Sequence, residues 1–123
     1  MTGTYTEIVE IVAPSSAVAG SIVSVEVKVK NRYSTNVHIY CVGVLDSQTR
    51  FIDWTDAWVS PGQTQSFYGS FAMPSQNVII NAYSYYEAVD GLIYFDDQKS
   101  KAVGLTELRS DVSQFQIVDY VKV

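Results

Sequence analysis

The chain has 123 residues, of which 47% are hydrophobic and 17% are charged, and its formal net charge is −5. This length fits one domain with its own hydrophobic core, and this composition excludes a disordered chain or a coiled coil. Acidic residues outnumber basic ones and no run of Lys or Arg occurs, so a phosphate backbone or an anionic membrane would be repelled. We therefore exclude nucleic-acid and membrane partners.

No apolar stretch approaches the ~20 residues that a membrane-spanning helix requires, and residues 1–4 lack the features of a signal peptide. The initial methionine favours assembly inside a cell, unless a leader was removed and the methionine added. The expected location is a virion or an extracellular assembly.

Strand signals follow one another along the chain, beginning with residues 5–12, which Pro14 ends. In residues 21–30, valines alternate strictly with Ser, Glu and Lys, which predicts a strand with one buried and one wet face. Residues 37–45 are apolar on both faces, as is typical of a central strand. The remaining predicted strands are 51–54, 63–73, 77–86 and 99–106.

Turn signals separate these segments, as at Pro61-Gly62 and Asp90-Gly91. Short strands with frequent turns predict an all-β fold, an immunoglobulin-like antiparallel β-sandwich of about seven strands plus a C-terminal extension strand. Residues 1–123 are predicted to form a single domain, with a core of about residues 5–107 and a C-terminal arm of residues 108–123.

Three stretches carry a family resemblance. They are Ala19-Gly20 before the valine alternation that ends at Asn31, Val59-Ser60-Pro61-Gly62-Gln63, and Phe71-Ala72-Met73-Pro74 followed by Asn77-Val78-Ile79-Ile80. Together they resemble bacterial and archaeal CARDB-type adhesion-related modules and their immunoglobulin-like or fibronectin type III-like relatives. The resemblance covers about residues 8–106 and implies a stalk, spacer or binding module without catalytic residues.

Enzyme chemistry is hard to assemble from this sequence. His38 is the one histidine and Cys41 the one cysteine, and residues three apart on a strand point to opposite faces. We therefore expect no catalytic dyad, no catalytic or cofactor-binding residue and no cofactor. We also expect His38 and Cys41 to be dispensable, because neither has a chemical partner at a suitable spacing.

Acidic side chains gather in two places, Asp53 with Asp56 and Asp90 with Asp96 and Asp97. Their spacing matches no calcium-binding loop closely, so we interpret them as turn or capping carboxylates and expect no metal site.

Tyrosines indicate a candidate interface. If Val78, Ile80 and Ala82 face the core, Tyr83 and Tyr85 lie on the outer face of the sheet. Tyr40 and Val42 on the expected neighbouring strand then join them. Two interpretations are open: a surface that a protein partner covers, and a cross-strand tyrosine ladder that stiffens the sheet.

Trp54 and Trp58 lie close to Asp53 and Asp56. Aromatic rings beside carboxylates are typical of a sugar-binding face, and equally of a protein interface. Sandwich cores commonly contain one tryptophan, so we expect at least one of this pair to be buried.

Residues 116–121 repeat the apolar and acidic character of residues 7–12, beyond the seventh predicted strand. Residues 115–123 are therefore predicted to pair with a sheet edge, with Phe115, Ile117 and Tyr120 as candidate interface residues. The strand is either donated to a neighbouring subunit or folded back as an eighth strand of its own sheet.

The leading functional hypothesis is a non-enzymatic structural or assembly protein, a subunit or decoration of a virus particle, filament or surface array. Its partners would be further copies of itself or other assembly subunits. The alternative is a carbohydrate-binding or adhesive module of a larger secreted protein, which requires Trp54 or Trp58 on the surface with an acidic residue beside it.

Overall fold

The structure is a computed structural model, and it describes residues 3–46 and 49–106. These residues form eight β-strands and no helix, so none of them belongs to a helix that would span a membrane. The strands are β1 (Thr6–Val12), β2 (Ser16–Val18), β3 (Ile22–Asn31), β4 (Val37–Leu45), β5 (Thr49–Val59), β6 (Thr64–Ala72), β7 (Val78–Glu87) and β8 (Ile93–Thr106).

Two sheets pack face to face. One has the order β1-β3-β6 and the other has the order β2-β8-β7-β4-β5. All neighbouring strands are antiparallel except β2, which lies parallel to the C-terminal end of β8. The predicted all-β, immunoglobulin-like sandwich is therefore confirmed.

The core lies between the sheets and follows from the alternation in the sequence. The valines at positions 23, 25, 27 and 29 of β3 are all at least 98% buried, and they belong to the same core cluster as Ile39 of β4 and Ile80 of β7. Burying each such side chain contributes about 1.5–3 kcal/mol relative to leaving it exposed. One face of each sheet is thereby fixed inward, which leaves the other face of the five-stranded sheet for surface contacts.

The prediction of about seven strands missed β2 and the first part of β8. β2 has only three residues and is held by backbone pairing to β8, from Ser16 opposite Gly104 to Val18 opposite Thr106. A segment this short shows no period in its side chains. β8 begins at Ile93, whereas the sequence pattern placed its start at residue 99.

The fourth predicted strand, residues 51–54, is part of the first half of an eleven-residue strand, β5. A β-bulge explains the difference. Thr55 lies opposite Cys41 and Ile52 lies opposite Gly43, so both residues between them oppose Val42 alone. An extra residue breaks the period-two alternation, and the strand could not be followed through it.

The predicted C-terminal arm, with Phe115, Ile117 and Tyr120, lies outside the described residues.

Candidate functional site

His38 has two carboxylate partners, which corrects the expectation that it has none. It lies on the outer face of β4, opposite Trp58 of β5. Its Nε2 is 2.6 Å from Oδ2 of Asp56 on β5, and its Nδ1 is 2.7 Å from Oε1 of Glu87 at the end of β7. These four residues are the His38 cluster, and they join three strands through one imidazole.

The two carboxylates favour the protonated imidazole. Burial lowers the pKa of His38, but the hydrogen bonds and the negative charges of Asp56 and Glu87 outweigh it, so the pKa is raised above 6.5. Only the imidazolium form can donate from both ring nitrogens at once. The cluster then holds two negative charges and one positive charge.

Aromatic rings surround this ion cluster. The indole of Trp58 stacks on the imidazole of His38. The Tyr40 ring also packs on this imidazole, with ring centroids 4.6 Å apart. The Tyr40 hydroxyl lies 3.4 Å from Oε1 of Glu87. Burial and then the charge of Glu87 raise the pKa of Tyr40, so its hydroxyl stays protonated at neutral pH.

The predicted tyrosines lie together on the outer face. Tyr40 is directly opposite Tyr85, and Val42 is directly opposite Tyr83. Val42 is only 4% exposed although it lies on the outer face, so the surrounding side chains cover it. The position of these residues agrees with the sequence argument, while their role as an interface stays a prediction.

Two further rings extend the surface formed by these tyrosines. Trp54 packs on Tyr85 with ring centroids 4.6 Å apart, and Phe95 of β8 lies edge-on to both Tyr83 and Tyr85, at 6.2 and 5.7 Å. The bulge in β5 directs Trp54 here, and its φ of 53° lies in the left-handed region that bulky residues rarely adopt. The aromatic face is defined by Tyr40, Trp54, Tyr83, Tyr85 and Phe95.

The expectation that one tryptophan is buried is wrong. Trp54 is 40% exposed and Trp58 is 67% exposed. They take part in different clusters, because Trp54 packs on the aromatic face and Trp58 stacks on His38. Asp56 binds His38, whereas Asp53 makes an exposed ion pair with Arg50 at 3.4 Å. The four residues of the predicted sugar site therefore do not form one group.

A cleft of about 340 Å³ lies beside the His38 cluster. His38, Trp58 and Glu87 line it together with three tyrosines, Tyr5, Tyr33 and Tyr86. Tyr5 packs between the other two, with ring centroids 4.8 Å from Tyr33 and 4.3 Å from Tyr86. We refer to these three residues as the tyrosine trio.

Cys41 has no part in this site. Its side chain is fully buried in the core, on the face of β4 opposite to His38. Burial raises the pKa of the thiol to about 12. The absence of a Cys41–His38 dyad therefore follows from the geometry.

Two residues of the second acidic group, Asp96 and Asp97, hold the N-terminal segment from within β8 rather than from a turn. Asp96 accepts hydrogen bonds from the backbone N–H groups of Thr4, Tyr5 and Thr6, and buried Asp97 accepts one from Ile8. These bonds attach the first strand to β8. Among the described residues, no group of three or more His, Cys, Asp or Glu side chains is arranged to hold a metal ion.

Sequence reasoning missed Glu87, Phe95 and the three residues of the tyrosine trio. A signal existed for Glu87, because the alternation that places Tyr83 and Tyr85 on the outer face also places Glu87 there. Phe95 gave no comparable signal, since the start of β8 was not recognised.

No family model matches the chain, and no curated protein matches it in sequence. Solved structures do share its fold. The CARDB domain of a Pyrococcus furiosus protein, solved in complex with di-metal ions, has a TM-score of 0.65 and 15% identity over 86% of this chain and 93% of that one. The PKD domain of an M14-like peptidase from a Thermoplasmatales archaeon has a TM-score of 0.60 and 11% identity over 85% and 99%.

At these identities the likeness shows the fold alone. The resemblance drawn from the three sequence stretches is confirmed at that level: the chain has the fold of a CARDB-type, immunoglobulin-like module. Both solved relatives are single domains named as parts of larger proteins.

Proposed function

We propose that this chain is a non-catalytic structural module that associates with further copies of itself through the aromatic face, as a subunit or decoration of a virus particle, a filament or a surface array. The observation that carries the proposal is the position of five aromatic side chains on the outer face of one sheet. Phe95 and Trp54 remain 54% and 40% exposed there. Exposed aromatic groups of this kind are enriched where proteins meet.

The composition of the aromatic face fits a protein contact. Its rings pack against one another edge-on or at tilted angles, so these side chains are already ordered before a partner binds. Preordered side chains lose little entropy on binding, and large aromatic groups commonly provide most of the binding energy. The likeness to domains of larger proteins supports a role as a building unit.

The test compares two exposed aromatic residues on opposite sheets. Phe95→Ser removes a ring from the aromatic face, while Tyr68→Ser removes a 70% exposed ring from β6 on the other sheet. Light scattering at increasing concentration should show association of the wild type, weaker association of Phe95→Ser and unchanged association of Tyr68→Ser. A wild-type protein that stays monomeric, or equal loss in both variants, contradicts the proposal.

One observation favours a second candidate, a carbohydrate-binding module. Trp58 is largely exposed and stands in the same cluster as the carboxylate of Asp56, which is the arrangement that this alternative requires. A glycan array with the wild type and Trp58→Ala tests it. Binding of a defined glycan that the variant loses supports this candidate, and an array without bound glycans contradicts it.

A further inference from the structure

We propose that the cleft between the tyrosine trio and the His38 cluster binds a small organic ammonium ion, of which choline is the simplest probe. This site lies beside the aromatic face and does not depend on the proposed assembly function. Its ligand class follows from three properties of the described residues: the size of the cleft, its aromatic lining and its charge.

The size of the cleft fits a small ligand. Its volume of about 340 Å³ falls at the lower end of the range of roughly 300–1,000 Å³ that is usual for small-molecule sites. A compact head group with few atoms therefore suits it better than a long chain.

The lining is rich in π faces. Tyr5 contacts both Tyr33 and Tyr86, and Trp58 also lines the cleft. Aromatic rings attract cations through the negative potential of their faces, and clustered rings are the usual recognition device for alkylated ammonium groups. Tyr33 is 46% exposed, so a bound group would cover a ring that water now contacts.

The charge of the cleft selects a cation. Glu87 lines the cleft, and with Asp56 it sets two carboxylates against the single imidazolium of His38. Among the described residues that line the cleft, none is Lys or Arg. The site therefore keeps an excess of negative charge. This charge attracts a cation, repels an anion and contributes nothing to the binding of a neutral ligand.

The proton on His38 competes with such a ligand. The groups that face His38 are Asp56 from β5, Glu87 from β7 and the Tyr40 hydroxyl from β4, with Trp58 stacked on the ring. When His38 loses its proton, one positive charge leaves the cluster and both carboxylates remain. Cation affinity should therefore increase as the pH rises through the pKa of His38.

The first experiment compares choline with its neutral isostere, 3,3-dimethylbutan-1-ol, by titration monitored through tryptophan fluorescence and NMR chemical shifts. We expect choline to bind about tenfold or more tightly than the isostere, the difference that a partly desolvated cation–π contact gives. Equal binding of the two probes would overturn the proposal, because an apolar cleft alone explains it. An absence of saturable choline binding would also overturn it.

The second experiment assigns the binding to the cleft. Tyr33→Leu keeps apolar bulk but removes the ring, and it should weaken choline binding by about two- to fivefold. Tyr33→Phe keeps the ring and should restore most of the affinity, while Tyr68→Leu on the other sheet should bind as the wild type does. Choline binding that Tyr33→Leu leaves unchanged would overturn the assignment. Circular dichroism melts of each variant show that its fold is retained.

The third experiment follows the pH. Choline affinity of the wild type should increase as the pH rises above 6.5 and through the raised pKa of His38, and His38→Gln should remove this dependence. An affinity that falls with pH would contradict the placement of the cation beside His38.

Discussion

The imidazole of His38 lies nearly parallel to the indole of Trp58, with ring centroids 4.7 Å apart and planes inclined by 12°. The two residues are directly opposite each other on β4 and β5. A protonated imidazole on an indole face gains cation–π attraction in addition to its ion pairs. The stack therefore favours the same charged form of His38 as the carboxylates do, and it ties the edge strand β5 to its neighbour.

We predict that His38 makes the protein more stable in mildly acidic solution than at alkaline pH. The folded-state pKa of His38 is raised above 6.5, so folding favours the protonated ring. This contribution is fully present below the unfolded-state pKa and disappears as the pH rises through the folded-state pKa. Urea unfolding of the wild type and His38→Gln over this range measures it. The difference in free energy of unfolding should shrink as the pH rises, and a difference that grows contradicts the assignment.

A second prediction separates the two interpretations of the tyrosines. Replacing Tyr83 and Tyr85 together by Ser should weaken association by more than about 30-fold if the aromatic face is an interface, as expected for central aromatic contacts. The same change should lower the melting temperature only modestly, because both rings lie outside the core cluster. Sedimentation and thermal melts give the two quantities. Unchanged association with a lower melting temperature indicates a ladder that only stiffens the sheet.

Cys41 should be inert in the folded protein. Its thiol is buried and its pKa is raised to about 12 by burial, so almost no thiolate forms near neutral pH. Iodoacetamide should modify it only after denaturation. Cys41→Ser should cost about 1–3 kcal/mol, because a hydroxyl replaces the thiol in an apolar environment, while Cys41→Ala should cost less. Rapid labelling of the native protein, measured by mass spectrometry, would be inconsistent with this placement.

The bounds of β3 and β4 could be predicted from the sequence almost residue by residue. β4 has the predicted bounds, and β3 differs by one residue at each end. The full length of β5 could not be predicted, because its pairing with β4 is irregular twice, at Asp53 and Trp54 and again at Phe51. Alternation in the sequence shows on which face of the sheet a residue lies. After a bulge, the residues that would point to one face point to the other, so the alternation is interrupted.

The candidate site was predictable only in part, for a related reason. The outer-face position of Tyr83 and Tyr85 follows from the alternation of β7 alone. The His38 cluster joins residues that are 18 and 49 positions from His38, and their contact depends on the order of strands within the sheet. The period of the side chains shows on which face of a strand a residue lies, but it does not show which strands are neighbours in the sheet. The sequence alone therefore could not identify the partners of His38.

The last prediction tests how closely β5 approaches the other sheet. A Cβ atom added at Gly69 of β6 would lie 2.5 Å from the backbone oxygen of Phe51 and 2.6 Å from Cγ1 of Ile52. Backbone cannot move aside without displacing β5, so Gly69→Ala should destabilise the fold by about 1–3 kcal/mol or more. Gly104→Ala is the matched control, because the nearest atom there, the backbone oxygen of Ser15, is 3.6 Å away.

The same displacement should reach the His38 cluster, since β5 also carries Asp56 and Trp58. In Gly69→Ala, NMR titration should therefore show the pKa of His38 closer to 6.5 than in the wild type, whereas Gly104→Ala should leave it unchanged. If Gly69→Ala is as stable as Gly104→Ala and titrates like the wild type, β5 does not lie against β6 as described. If Gly69→Ala is destabilised but the titration of His38 is unchanged, the displacement of β5 is confined to the region of Phe51. The bulge at Asp53 and Trp54 then prevents the displacement from reaching the His38 cluster.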